Sequence, residues 1–284
     1  MKLLLLKNEK MKHILLSIYL LTVALVLNAA KVDTLLVYSN SMKKNTKTCV
    51  VTPDNYNKTE KPYPVLYLLP GYSGNFASWV NDFPQVKQFA DQYGMIIVGV
   101  DGNFSSWYFD SPIDPTMKYE TYVTKELIGF IDNTYNTIKS KEGRAVSGLS
   151  MGGHGALYLS MRHQDIFGAA GSMSGGVDFR PFPQNWDLNK RLGDMALYPE
   201  NWEKNTVIYQ LYLLKNDKLA IIIDCGTDDF FIAVNRQLHE KMLYFNIKHD
   251  YIERPGGHTG AYWTNALQYQ VLYFDNFFRK KQIK

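Results

Sequence analysis

Cysteine is scarce in this chain, with two residues, Cys49 and Cys225, among 284. Both fall in apolar runs that read as strands well apart in one sheet, whereas a disulfide needs Cα atoms within about 7 Å. Two buried free thiols are expected, and with no histidine at motif spacing neither is a candidate nucleophile. Charge of one sign is not concentrated either: 31 Lys and Arg stand against 27 Asp and Glu, a net +4 spread along the chain. Without a basic stripe, nucleic acid is excluded as a partner class. Beyond Ala30 no run approaches the ~20 apolar residues of a membrane-spanning helix. Internal repeats, low-complexity tracts and metal-ligand spacings such as H-E-x-x-H are missing too. No metal and no cofactor is therefore implied.

What is present begins with a segment unlike the rest. Lys2, Lys7, Lys10 and Lys12 precede a charge-free run from Ile14 to Leu27, which ends in Asn28-Ala29-Ala30. A basic stretch, a short apolar stretch and small residues make residues 1–30 a secretory signal peptide, and Met11 also opens a complete signal of its own. No cysteine follows the apolar stretch, so a lipoprotein anchor is not expected. The mature protein is expected outside the cytoplasm, periplasmic or extracellular, with no stable membrane span after the signal is removed. Residues 31–284 have globular composition, 46% hydrophobic and 20% charged over the whole chain, and suit a single domain of roughly 250 residues.

Within that domain, Thr34–Met42 and Lys47–Thr52 read as an antiparallel pair joined by Lys43-Lys44-Asn45. The apolar runs Val65–Leu69, Met95–Val100, Arg144–Gly148, Ala169–Ser172 and Leu219–Cys225 read as buried strands, with His249–Glu253 the last. Helical spacing occupies Phe83–Tyr93, Glu120–Tyr135, Met151–His163, Val234–Tyr244 and Asn265–Phe278. This alternation predicts an α/β fold with a mostly parallel central sheet and helices on both faces. Residues 176–218 break it, carrying Phe179, Phe182, Trp186 and Trp202 among Pro and Asn. They read as a small cap-like insertion over the C-terminal edge of the sheet, where ligands bind, or as an excursion packing its own aromatics.

The chemistry centres on Gly148-Leu149-Ser150-Met151-Gly152, a G-x-S-x-G between an apolar strand and a Gly/Ala-rich helix. That context is the nucleophile elbow of α/β-hydrolases, whose serine projects from the top of the sheet. A Cβ at Gly148 or Gly152 is expected to clash with the neighbouring strand or helix. A serine hydroxyl needs a base, and the base needs an acid to orient it. In this fold they follow in the order Ser, Asp, His. Six histidines occur. His13 leaves with the signal peptide, His154 and His163 precede any acid, His239 lies mid-helix and His249 begins a strand. His258, in Gly256-Gly257-His258-Thr259-Gly260, follows the last strand and is the candidate base. For the acid, Asp229 three residues after Gly226 is favoured over its neighbour Asp228, and Asp224 belongs to the strand. Two backbone N–H donors are needed for the oxyanion. Met151 supplies one, and the loop Pro70-Gly71-Tyr72-Ser73-Gly74 the other, from Tyr72.

Together these blocks, with Tyr67-Leu68-Leu69 before the loop, Ser106-Trp107-Tyr108, Glu120-Thr121-Tyr122, Gly153-His154-Gly155-Ala156-Leu157 and Asp224 to Phe230, resemble the esterase D-like esterases. That superfamily includes S-formylglutathione hydrolases, tributyrin esterases, feruloyl and acetylxylan esterases of carbohydrate esterase family one, and mycolyltransferases. The resemblance runs from about Leu36 to Phe278. It implies an α/β-hydrolase fold, a catalytic triad of Ser150, Asp229 and His258, and Tyr72 and Met151 as oxyanion donors. Pro70 departs from the pattern, since many members carry His before the glycine. The implied reaction is two-step acyl transfer to water. Trp107 and Tyr108 are expected to face the cleft of Ser150 and bind substrate, stacking on a sugar or aromatic acyl group. Export argues against intracellular glutathione thioesters, so the expected substrate is a feruloyl or acetyl ester of a carbohydrate. An acyltransferase with the same triad and a general short-chain esterase or thioesterase are the alternatives, with a non-catalytic binding protein behind them. The sequence does not fix an oligomeric state.

Overall fold

Val65 to Leu69 are buried at every position, as a strand covered on both faces must be. Ile96–Val100, Arg144–Leu149 and Ala169–Met173 share the pattern. In the computed structural model, which describes residues 30–215 and 218–282, they form the middle of one eight-stranded sheet. Its strands are β1 (Lys31–Ser39), β2 (Lys44–Thr52), β3 (Val65–Leu69), β4 (Ile96–Val100), β5 (Arg144–Leu149), β6 (Ala169–Met173), β7 (Ala220–Gly226) and β8 (Asp250–Arg254). They lie in the order β1-β2-β4-β3-β5-β6-β7-β8, antiparallel at β1/β2 and β2/β4 and parallel from there on. The mostly parallel α/β sheet expected from the alternation is the one observed, as the α/β-hydrolase fold implied by the resemblance requires. The expected signal peptide, apart from Ala30, lies outside the described residues.

The opening hairpin is longer than the sequence suggested. Lys44 and Asn45 pair with Ser39 and Tyr38 instead of forming the turn, because an edge ladder accepts polar side chains on its solvent face. Among the described residues, four main helices connect the strands, α1 (Gln85–Tyr93), α2 (Ile128–Thr134), α3 (Met151–Arg162) and α4 (Ile232–Tyr244), and α5 (Gly260–Gln282) follows β8. The helical segment leading into α2 begins at Tyr119 and passes through a π turn at Tyr122–Leu127. There the Thr124 hydroxyl donates to the Glu120 carbonyl at 2.7 Å.

Alternate strand residues feed two cores, as a period of two dictates. Leu66, Leu68, Ile97, Ala145 and Ile222 pack with Val86 and Phe89 of α1 and Leu267, Val271 and Phe274 of α5. Tyr67, Val98, Val146 and Ile223 pack on the opposite side with Ile131, Leu157 and Leu238 of α2, α3 and α4. Cys49 on β2 and Cys225 on β7 have β4, β3, β5 and β6 between them, and both are buried and free. The chain leaves β3 for β4 on one side and returns to β5 on the other. Such a reversal opens a crevice at the carboxyl ends of the two strands. The loop after β3 and the elbow after β5 therefore face one another across it.

Candidate active site

Ser150 sits between β5 and α3 with φ 55° and ψ −118°, a backbone region that costs a non-glycine residue of order 1–3 kcal/mol. The strand and helix packed on either side impose it. A Cβ on Gly152 would lie 2.0 Å from the Leu69 carbonyl oxygen, and one on Gly148 2.4 Å from that of Gly152. The Ser150 N–H donates to the Met173 carbonyl at 2.9 Å and its own carbonyl accepts from His154 at 3.0 Å. The turn is thus anchored to β6 and to the first turn of α3.

The structure brings Ser150, His258 and Asp229 together. His258 Nε2 lies 2.9 Å from Ser150 Oγ, and Nδ1 lies 2.8 Å from Asp229 Oδ2. A carboxylate can only accept, so Nδ1 donates and Nε2 is left to accept the serine proton. The other Asp229 oxygen accepts from the Phe231 N–H at 2.8 Å, and the residue is 2% exposed. Asp228 points outward and is exposed. Asp224 is buried beneath the site, accepting from the Tyr262 hydroxyl and from Arg254 at 2.5 Å. Those two partners bracket the loop that carries His258. The imidazole packs between the Phe230 ring, 4.3 Å away, and the edge of Trp263 at 4.8 Å.

The backbone N–H groups of Tyr72 and Met151 have no protein acceptor among the described residues. Met151 opens α3, where the first N–H groups lack intrahelical partners. Tyr72 lies in the loop after β3, where Gly74 N–H closes a turn on the Gly71 carbonyl at 3.0 Å. A cavity of about 620 Å³ extends from Ser150 and His258 along this loop. Its walls include Tyr72, Trp79, Phe83, Trp186, Phe230 and Trp263. Of these, Trp186 comes from the insertion, whose Phe179 and Trp202 are fully buried in the core.

Trp107 and Tyr108 require a correction. They do not line the cavity: Trp107 is 1% exposed and Tyr108 is fully buried. The reason is backbone geometry. Both residues have positive φ, 52° and 64°, which turns the chain inward and carries the rings under the site. The Tyr108 hydroxyl donates to the Pro70 carbonyl at 3.0 Å, and Trp107 Nε1 donates to the Trp186 carbonyl at 3.1 Å. Burial pushes the Tyr108 pKa well above its ordinary value, so the hydroxyl stays a donor. His154 lies one helical turn beyond Ser150, fully buried among Trp107, Phe109, Tyr158 and Phe179. That burial drives its pKa down to about 3. The cavity walls Trp79, Phe83, Phe230 and Trp263 were missed in the sequence. Only Phe230, adjacent to Asp229, carried a positional signal.

Comparison with known proteins identifies the family. The family described as "Putative esterase" matches residues 39–274. An acetyl esterase of Caldicellulosiruptor saccharolyticus is 26% identical over 251 residues, covering 81% of this chain and 92% of that protein. The diacylglycerol acyltransferase/mycolyltransferase Ag85A of Mycobacterium tuberculosis is 29% identical over 224 residues, 70% of this chain and 65% of that one. A solved ferulic acid esterase superposes with a TM-score of 0.76 at 28% identity, covering 88% of this chain and 98% of its own. With its fold, its elbow and a family match spanning most of its length, the chain belongs to this esterase family and is a carboxylic ester hydrolase.

Proposed function

We propose that the protein is an exported serine esterase that removes feruloyl or acetyl groups from carbohydrates by way of an acyl-enzyme on Ser150. The observation that carries the reading is the hydrogen-bonded line from Asp229 through His258 to Ser150, with steps of 2.8 and 2.9 Å, opening on an aromatic-walled cavity. His258 takes the serine proton as Oγ attacks the ester carbonyl. Asp229 holds the ring tautomer and offsets the imidazolium charge. The Tyr72 and Met151 N–H groups receive the developing oxyanion. His258 then returns the proton to the leaving alcohol, and a water activated by the same ring releases the acid.

The carbohydrate ester reading draws on the printed activities of the acetyl esterase and ferulic acid esterase relatives and on the indole and phenyl walls of the cavity, which suit an aromatic acyl group. Residues 176–218 act in this reading as a partial cap on a single hydrolase domain, with Trp186 as its contact with substrate. Export draws on the basic and apolar pattern before Ala30. Among the described residues no helix is long and apolar enough to cross a membrane.

The wild-type protein is expected to hydrolyse p-nitrophenyl acetate and to release ferulate or acetate from decorated xylan. Ser150→Ala should lower kcat by roughly 10³-fold or more and abolish fluorophosphonate labelling. Turnover that survives Ser150→Ala would overturn the triad, and activity confined to simple short-chain esters would overturn the carbohydrate assignment. The similarity to a mycolyltransferase favours one second reading, transfer of the acyl group to a sugar or lipid hydroxyl. Product analysis with added acceptor separates transfer from hydrolysis.

A further inference from the structure

The loop that presents the Tyr72 N–H contains a glycine immediately before the donor. The peptide joining Gly71 to Tyr72 has little intrinsic preference for the orientation that aims its N–H at the cavity. Its own carbonyl accepts from the Gly74 N–H at 3.0 Å, which closes the turn, and the peptides on either side fix where that turn sits. The peptide before it is pinned through the Pro70 carbonyl, which accepts from the Tyr108 hydroxyl at 3.0 Å. The peptide after it is pinned through the Ser73 N–H, which donates to the Phe104 carbonyl at 2.7 Å. Both pins come from one segment, residues 104–108.

The same segment grips the second donor. The Trp107 N–H points at the Met151 sulfur at 3.4 Å, and the Tyr108 N–H is tied back to the Ser106 hydroxyl at 3.1 Å. The glycines around the elbow are shaped to these rings. A Cβ on Gly155 in α3 would lie 2.2 Å from the Tyr108 ring, one on Gly102 2.4 Å from its hydroxyl, and one on Gly176 2.9 Å from the Trp107 indole. Two adjacent non-glycine residues at positive φ are costly, and here that geometry sends one residue's contacts to each oxyanion donor.

We propose that Trp107 and Tyr108 are positioning residues that register the two oxyanion donors against each other. The role rests on the assignment of Tyr72 and Met151 above. None of residues 104–108 lines the cavity. The segment acts by fixing the peptide between Gly71 and Tyr72 relative to the start of α3, so that both N–H groups converge on one point before substrate arrives. Loss of the Tyr108 hydroxyl leaves the Pro70 carbonyl without its donor and frees the turn that carries the Tyr72 N–H to shift against α3.

The test is Tyr108→Phe, which keeps the ring between Gly102 and Gly155. Its kcat should fall roughly tenfold to a hundredfold, since a misplaced donor loses part of what a deleted one costs, with KM within about twofold of wild type. A trifluoromethyl ketone, which binds as an oxyanion-bearing hemiketal on Ser150, should lose affinity by the same factor as kcat/KM. A non-hydrolysable amide analogue of the substrate should bind unchanged. Met151→Leu keeps the volume but removes the sulfur contact; it should show a smaller loss with the same split, and it decides the matter if Tyr108→Phe does not fold. Wild-type kcat and ketone affinity in the variants would overturn the proposal. So would parallel weakening of ketone and amide binding, the mark of a merely structural role. A wild-type protein that neither binds the ketone nor is labelled at Ser150 would instead sink the triad reading, and this inference with it.

Discussion

At Ser150 the backbone is held in a conformation that glycine adopts freely and serine does not. Alanine carries the same Cβ and the same cost, whereas glycine sheds it. Ser150→Gly is therefore expected to unfold at higher denaturant than Ser150→Ala, by about 1 kcal/mol after allowing for the extra entropy of an unfolded glycine. Equilibrium unfolding of the two inactive variants in urea measures the difference, and an alanine variant as stable as the glycine variant would contradict it. The elbow and the candidate triad were legible because each depends on local chain geometry or on chain order. Trp107 and Tyr108 were not. Sequence placed them in the right loop, but two successive left-handed residues reverse which way the rings face, and no local pattern announces that.

Among the elements, the segment between β8 and α5 decides where His258 stands. Gly226, at the end of β7, lets that segment approach: a Cβ there would lie 2.1 Å from the Gly256 carbonyl oxygen and 2.7 Å from its carbon. The same Gly256 carbonyl accepts from the Asp228 N–H at 2.9 Å, so it cannot retreat without breaking the turn that aims Asp229. Gly226→Ala should consequently displace the imidazole, two residues beyond Gly256, and lower kcat by about 10²-fold, the penalty of roughly 1 Å of misplacement. Steady-state kinetics on p-nitrophenyl acetate, with circular dichroism to verify folding, checks this; near wild-type activity would contradict it. Strand positions were readable because buried parallel strands are short apolar runs. The cavity walls Trp79 and Trp263 were not, because one comes from the connection between β3 and β4 and the other from α5, and only the order of strands brings them to one crevice.

Over the whole molecule, the distant parts are held by buried polar links as well as by the two apolar cores. Glu120, 9% exposed, accepts from Arg162 and His163 at the end of α3, each at 2.8 Å, and from the Tyr158 hydroxyl at 2.9 Å. That hydroxyl also lies 2.9 Å from Asn205 of the insertion. The carboxylate thus joins the segment before α2, the elbow helix and the insertion. Burial alone would raise its pKa, but the hydrogen bonds from His163, Arg162 and Tyr158 outweigh burial and hold it at about 2, against 4.5 for a free side chain. A folded-state pKa below the unfolded one means that the carboxylate stabilises the fold above about pH 4.5 and loses that contribution as pH falls towards 2. At 1.36 kcal/mol per unit the shift corresponds to at most about 3 kcal/mol. Glu120→Gln should therefore melt roughly 5–10 °C below wild type at pH 7. The gap should narrow as pH falls below 4.5 and nearly close only at about pH 2 and below, where the folded wild-type carboxyl takes up its proton. Thermal melts of the two proteins across this range are the measurement, and a gap that stays constant with pH would show that the charge on Glu120 does not hold these parts together.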